Sequence, residues 1–175
     1  MTANYNPSTQ DRIADLVTGM RVETGIMANA TYMAQTQIED FNVYGRILLL
    51  QLFFEVTTNC DANATLFQYT YSCATHTPAI VSTKLGLVSL TFASATIGSR
   101  VCWTGGAVGG TTHVICNTTG GISDLICTAP MIVGYKDGVG TVGHLTTTAS
   151  QAAGAGFHTM LYVPMSDGAY VTAIR

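Results

Sequence analysis

The sequence predicts an all-β protein: a single compact sandwich or barrel, jelly-roll-like, preceded by an N-terminal arm. Three observations carry this. Short β-prone pieces recur between turn signals, helical periodicity is confined to the first residues, and the stretch from Phe41 to Thr58 is apolar enough to nucleate a core. No repeat of fixed period is visible, which disfavours a propeller or solenoid.

The stretch FNVYGRILLLQLFFEVTT reads as one long central strand with Gly45 at its entry. On an extended chain alternate residues fall on opposite faces. One face carries Arg46 and then Leu48, Leu50, Leu52, Phe54 and Val56, and is expected to be fully buried. The other carries Val43, Ile47, Leu49, Gln51, Phe53 and Glu55, and is expected to be partly solvated, with Glu55 at the wet end. The aromatics and the Thr57-Thr58 exit favour strand over helix. Ile47 to Val56 is too short and too polar for a membrane span, which requires about 20 apolar residues.

Residues 1 to about 35 form the arm, and 36 to 175 the β domain. The arm holds Asp11, Arg12, Asp15, Arg21 and Glu23, and the spacing of Ile13, Leu16, Val17 and Met20 allows a short helix after Ser8. Two turns of helix are marginal alone, so the segment is either a frayed terminus or an arm that orders only against a neighbouring subunit. Beyond the central stretch, strands are expected over Leu66 to Tyr71, Leu85 to Phe92, Arg100 to Trp103, His113 to Cys116, Ile122 to Thr128 and Met131 to Val133. The glycine pairs Gly105-Gly106, Gly109-Gly110 and Gly120-Gly121 punctuate them. Asp137-Gly138 reads as a hairpin turn into Val139 to Leu145. Thr146 to Gly156 lacks any large apolar residue and reads as a surface loop. Phe157 to Val163 and Ala169 to Ile174 close the chain as strands.

Composition narrows the function. Charged residues are 10% of the 175, against roughly 25% in typical soluble proteins, so much of the surface is expected to be covered by other chains. The net charge of -3 and seven scattered Lys and Arg leave no basic stripe, which argues against nucleic acid as a partner. The opening MTANYNPSTQDR is polar, so no export signal is expected, and the Asn-X-Ser/Thr triplets at Asn29, Asn63 and Asn117 read as chance. Five cysteines without a CxxC pair read as packing residues or inert thiols made in a reducing cytoplasm.

Residue patterns for catalysis are missing. His76, His113, His144 and His158 are far apart, and none has a second ligand at metal-site spacing. His158, between Phe157 and Thr159, is expected to face solvent or an interface. No glutamate follows Glu55, no G-x-S-x-G elbow is present, and the Gly105 to Gly110 run shares only glycine content with a phosphate loop. Trp103 reads as core. No enzyme activity and no cofactor are expected.

Two stretches carry a resemblance. Gly45-Arg46-Ile47-Leu48-Leu49, leading through Glu55-Val56-Thr57-Thr58 to Ala62-Asn63-Ala64-Thr65, resembles the opening strand of small β proteins from the structural gene regions of tailed bacteriophages. Leu161-Tyr162-Val163-Pro164-Met165-Ser166-Asp167-Gly168-Ala169 is similar to their closing hairpin. Together they cover about a quarter of the chain. The resemblance implies a virion protein made in the host cytoplasm, and best fits a capsid decoration (cement) protein on the outer shell. Proteins of that kind commonly form homotrimers and grip the major capsid protein with an N-terminal arm. On that reading Asp11, Arg12, Ile13, Leu16, Met20 and Arg21 are the candidate capsid- or subunit-binding residues, and deleting residues 1 to 30 should leave the β core folded. The alternative is a receptor- or glycan-binding fibre module, which calls for an exposed aromatic site drawn from Trp103, Tyr69 or Tyr71.

Overall fold

The computed structural model of the chain describes residues 19–33, 37–76, 79–85, 91, 93–103, 114–116 and 130–175. The expected strands over Leu85 to Phe92 and Ile122 to Thr128 fall largely or wholly outside them, as do the glycine pairs.

Within the described residues the chain is almost entirely strand: β1 (Met20–Glu23), β2 (Met27–Ala28), β3 (Gln37–Tyr44), β4 (Ile47–Thr58), β5 (Leu66–Cys73), β6 (Ile80–Lys84), β7 (Arg100–Trp103), β8 (Val114–Cys116), β9 (Met131–Val133), β10 (Val139–Thr147), β11 (Ala155–Pro164) and β12 (Tyr170–Ala173). One helical turn, α1 (Asn29–Tyr32), interrupts them. Every pairing is antiparallel. The larger sheet runs β1-β11-β4-β7-β8, with β2 also on β11 and β9 also on β4; the smaller runs β12-β3-β10-β5-β6. The two sheets pack as an open sandwich, not a closed barrel. Between them lie Phe41, Leu49, Leu52, Phe54, Phe67, Trp103, Met160 and Tyr162, each fully or almost fully buried.

The central stretch is two strands, and this corrects the reading of Phe41 to Thr58 as one. Gly45, at φ +71°, turns the chain out of the smaller sheet and into the larger. A side chain there would meet Ser166 Oγ at 2.8 Å and Ala169 Cβ at 3.0 Å, so glycine is required by both conformation and space.

Within β4 the buried set also changes phase. Tyr162 faces Leu49 but Leu161 faces Gln51, so Leu50 is an extra residue in a bulge. Ile47 and Leu49 point inward before it; Leu52, Phe54 and Val56 do so after it. Leu48 and Leu50, expected inside, are half-buried.

Two expected hairpins are sheet crossings instead. The Asp137-Gly138 turn forms, closed by the Gly138 N–H on the Tyr135 carbonyl at 3.2 Å. It joins β9 of one sheet to β10 of the other. The turn after Pro164 likewise carries the chain from β11 to β12 in the opposite sheet. Turn chemistry fixes the local reversal, and burial of the outgoing strand decides which sheet receives it.

The arm divides as well. Residues 1–18 lie outside the described residues, with the expected helix almost wholly among them. Met20 to Glu23 pair with β11 as an edge strand, and Met27 and Met33 are buried. This half of the expected arm belongs to the β domain.

Candidate functional site

Asp40, His144 and His158 meet at the centre of the sandwich, and all three side chains are 0% exposed. Their arrival there is a consequence of local strand geometry. In β10, Val142 faces Phe41 while Gly143 faces Glu39, so Asp40 is the unpaired residue of a bulge in β3. The bulge turns its carboxylate inward beside Phe41. A Cβ on Gly143 would lie 2.1 Å from the Ile38 carbonyl oxygen, so the close approach at this bulge depends on glycine. His144 follows in β10, sharing its inward phase with Val142 and Thr146. His158 comes from β11 in the other sheet, in phase with Met160 and Tyr162.

The contacts form a chain across the core. Asp40 Oδ2 lies 2.7 Å from His144 Nδ1, and His144 Nε2 donates to the Tyr32 carbonyl at 2.8 Å. Tyr69 Oη sits 2.9 Å from His158 Nδ1. His158 Nε2 faces Asp40 Oδ1 at 3.7 Å, close enough for charge attraction but too far for a hydrogen bond. Those last two atoms have no hydrogen-bond partner. The imidazoles stack with centroids 4.7 Å apart and planes 26° apart; Phe67 stacks on His144, and Phe54 tilts against His158. Thr24 closes the near side: its N–H donates to the His158 carbonyl at 3.0 Å, and its Oγ1 accepts from the His158 N–H at 2.9 Å.

Electrostatics assigns the protons. Burial pushes the Asp40 carboxyl up, but the charges of His158 and His144 and the His144 hydrogen bond outweigh it, leaving the group below its ordinary range. Burial pushes His144 down; the Asp40 charge, its hydrogen bond and the Tyr32 carbonyl reverse this, so His144 ends above its ordinary value. Burial lowers His158 to about 3, opposed by Asp40 and reinforced by His144. Burial, then the Asp40 charge, raises Tyr69 well above the usual phenol range. Geometry agrees with these directions: both His144 ring nitrogens face acceptors, Asp40 Oδ2 and the Tyr32 carbonyl, as an imidazolium beside a carboxylate requires, and a neutral His158 accepts the Tyr69 hydroxyl proton at Nδ1. The donor set of two imidazoles and a carboxylate can also hold a metal ion, the three ligand atoms lying within 4.8 Å of one another.

This overturns the expectation that His158 faces solvent or an interface. The reason is the phase of β11: His158 is in step with the buried Met160 and Tyr162, while Phe157 is only half-buried. Trp103 is core, as expected, and donates its indole N–H to the Leu85 carbonyl.

Of the candidate arm residues, Asp11, Arg12, Ile13 and Leu16 lie outside the described residues. Met20 and Arg21 sit on β1 opposite Tyr162 and Leu161, with Arg21 paired to Glu23. The structure thus ties these two to the sheet edge. Cys60, Cys73 and Cys102 are free thiols, and burial pushes Cys60 up to about 11, partly opposed by its hydrogen bond from Asn29. Among the described residues no helix is long and apolar enough to cross a membrane.

No family model, curated protein or solved structure matches this chain.

Proposed function

We propose that this protein is a structural subunit of a tailed-phage particle, a capsid decoration protein that binds the outer shell as a homotrimer and acts without catalysis. The observation that carries the reading is an apolar exterior on a chain that is only 10% charged. Ile26 and Val81 are 71% and 79% exposed, and Ile97, Ile132 and Met165 are exposed as well. On the smaller sheet the register places Tyr170, Tyr44 and Val139 side by side on three adjacent strands, with the Tyr44 and Tyr170 rings stacked at 4.3 Å. Such rows gain free energy when another chain covers them. Edge strands β1 and β12 offer backbone groups for the same purpose. The full burial of the Asp-His-His cluster supports the non-catalytic part, because a substrate has no exposed atom there to approach.

The fibre-module reading loses its named residues: Trp103, Tyr69 and Tyr71 are all buried.

Mixing purified protein with expanded and unexpanded capsids, followed by sedimentation, tests the proposal. Stoichiometric uptake on the shell is expected; glycan binding with no uptake contradicts it. The arm is tested by deleting residues 1–18, which should abolish uptake and spare the fold. Deleting residues 1 to 30 no longer serves, because it removes β1, Thr24 and the buried Met27 from the sandwich itself.

A further inference from the structure

The Asp40 and His158 side chains leave two complementary polar atoms facing each other without a bond. Asp40 Oδ1 and His158 Nε2 are each buried and lack a hydrogen-bond partner, and they stand 3.7 Å apart. Leaving an anionic oxygen and a ring nitrogen without hydrogen bonds in a protein core is costly, so a ligand that bonds both would stabilise the fold. With bonds of roughly 2.0–2.1 Å, a zinc-like ion spans donor atoms up to about 4 Å apart. The separation seen is too long for a hydrogen bond and within reach of one ion.

We propose that Asp40, His144 and His158 form a structural site for one borderline divalent transition ion, with Zn²⁺ the best fit. Two imidazoles and one carboxylate suit that class, whereas Ca²⁺ and Mg²⁺ seek sets of oxygen donors. The outer nitrogens are already anchored: His144 Nε2 on the Tyr32 carbonyl at 2.8 Å, and His158 Nδ1 on Tyr69 Oη at 2.9 Å. These are the bonds that orient ligating histidines and fix which ring nitrogen turns inward. In both rings the inner nitrogen faces the same carboxylate.

Binding draws the three donors together from their 4.8 Å spread, and the ion replaces the Nδ1 proton of His144, which leaves to solvent. The Asp40–His144 hydrogen bond gives way to ligation, and Tyr69 turns to accept the Nδ1 proton of a ligating His158. Because Asp40 and His144 belong to one sheet and His158 to the other, the ion fastens the sandwich across its middle. Three protein ligands leave the fourth position to a water, and because all three side chains are 0% exposed no substrate reaches it, so the role of the site is stability and not turnover.

The test uses the full chain, unfolded with a chelator, refolded metal-free, and titrated with Zn²⁺ or Co²⁺. One ion retained per chain after desalting, a melting temperature raised by about 10 °C, and tetrahedral Co²⁺ absorption bands are expected. His76→Ala should keep all three, and a folded His158→Gln should lose them. No retained ion, retention without a thermal shift, or equal retention by folded His158→Gln overturns the proposal. Should His158→Gln fail to fold, the Co²⁺-loaded wild type decides. Two slowly exchanging, hyperfine-shifted imidazole N–H signals are expected from rings anchored on Tyr32 and Tyr69, and fewer than two contradicts the site.

Discussion

The interior and the exterior of this sandwich each hold a local exception to the usual distribution of side chains: an ionisable cluster within the apolar core, and large apolar residues among the exposed ones. A carboxylate and two histidines occupy the middle, while isoleucines, valines and tyrosines stand in solvent. The interior cluster is held by specific contacts across both sheets, from Tyr69 through His158 and Asp40 to His144 and Tyr32. Among the described residues Ile26, Val81, Ile132 and Met165 are exposed, and the Tyr44–Tyr170 stack lies on the surface of the smaller sheet. On the proposed function, the difference separates what fixes this fold from what is left for a partner. Polar groups inside select one register and one sheet pairing; apolar groups outside contribute only when covered.

Substitutions should separate the two regions by size of effect. Asp40→Ala strands a buried imidazolium and is expected to cost about 3–5 kcal/mol, read as a lower urea midpoint. A change under 1 kcal/mol would mean the interior cluster does not hold the sheets.

Acid should act on the same cluster in chelator-treated protein. His158 is lowered in the fold to about 3, so it contributes stability above the ordinary histidine value that is lost as pH falls. Between pH 6.5 and 4 this amounts to about 3 kcal/mol. Asp40, also lowered, adds to the loss only below the ordinary carboxylate range. His144 is raised, so its share is complete below its ordinary value and lost as pH rises through the folded one. Urea midpoints across pH 4 to 9 should therefore peak near pH 6.5, and a flat profile would contradict the proton assignment.

Tyr69→Phe removes the hydroxyl that donates to His158 and is expected to cost about 1–3 kcal/mol by the same measurement. The exterior should behave oppositely. Tyr170→Lys is expected to change stability by no more than about 1 kcal/mol, yet to weaken self-association and shell uptake.

The fold class was legible because β-prone pieces, turn residues and the absence of helical stripes are local signals. Trp103 and the strand from Leu66 to Tyr71 followed from them directly. What strict alternation could not reveal were the bulges. An extra residue at Leu50 reverses the buried face of β4, and another at Asp40 turns a carboxylate inward from a stretch, Gln37-Ile38-Glu39-Asp40, that reads as a polar rim. The cluster was invisible for the same reason, since its three members meet only through pairings about 100 residues apart. The loop after Thr147 holds a smaller case. Gln151 is buried there, its Oε1 accepting from the Asp61 N–H and its Nε2 donating to the Asn63 carbonyl and Thr65 Oγ1. A long polar side chain in a small-residue loop is the signal that marks it.

The claim that the apolar exterior exists to be covered is tested most directly by the native mass of the purified chain at micromolar concentration. The account predicts three times 18.4 kDa, shifting toward one copy in Tyr170→Lys. A single 18.4 kDa species that stays monodisperse as concentration rises would contradict it.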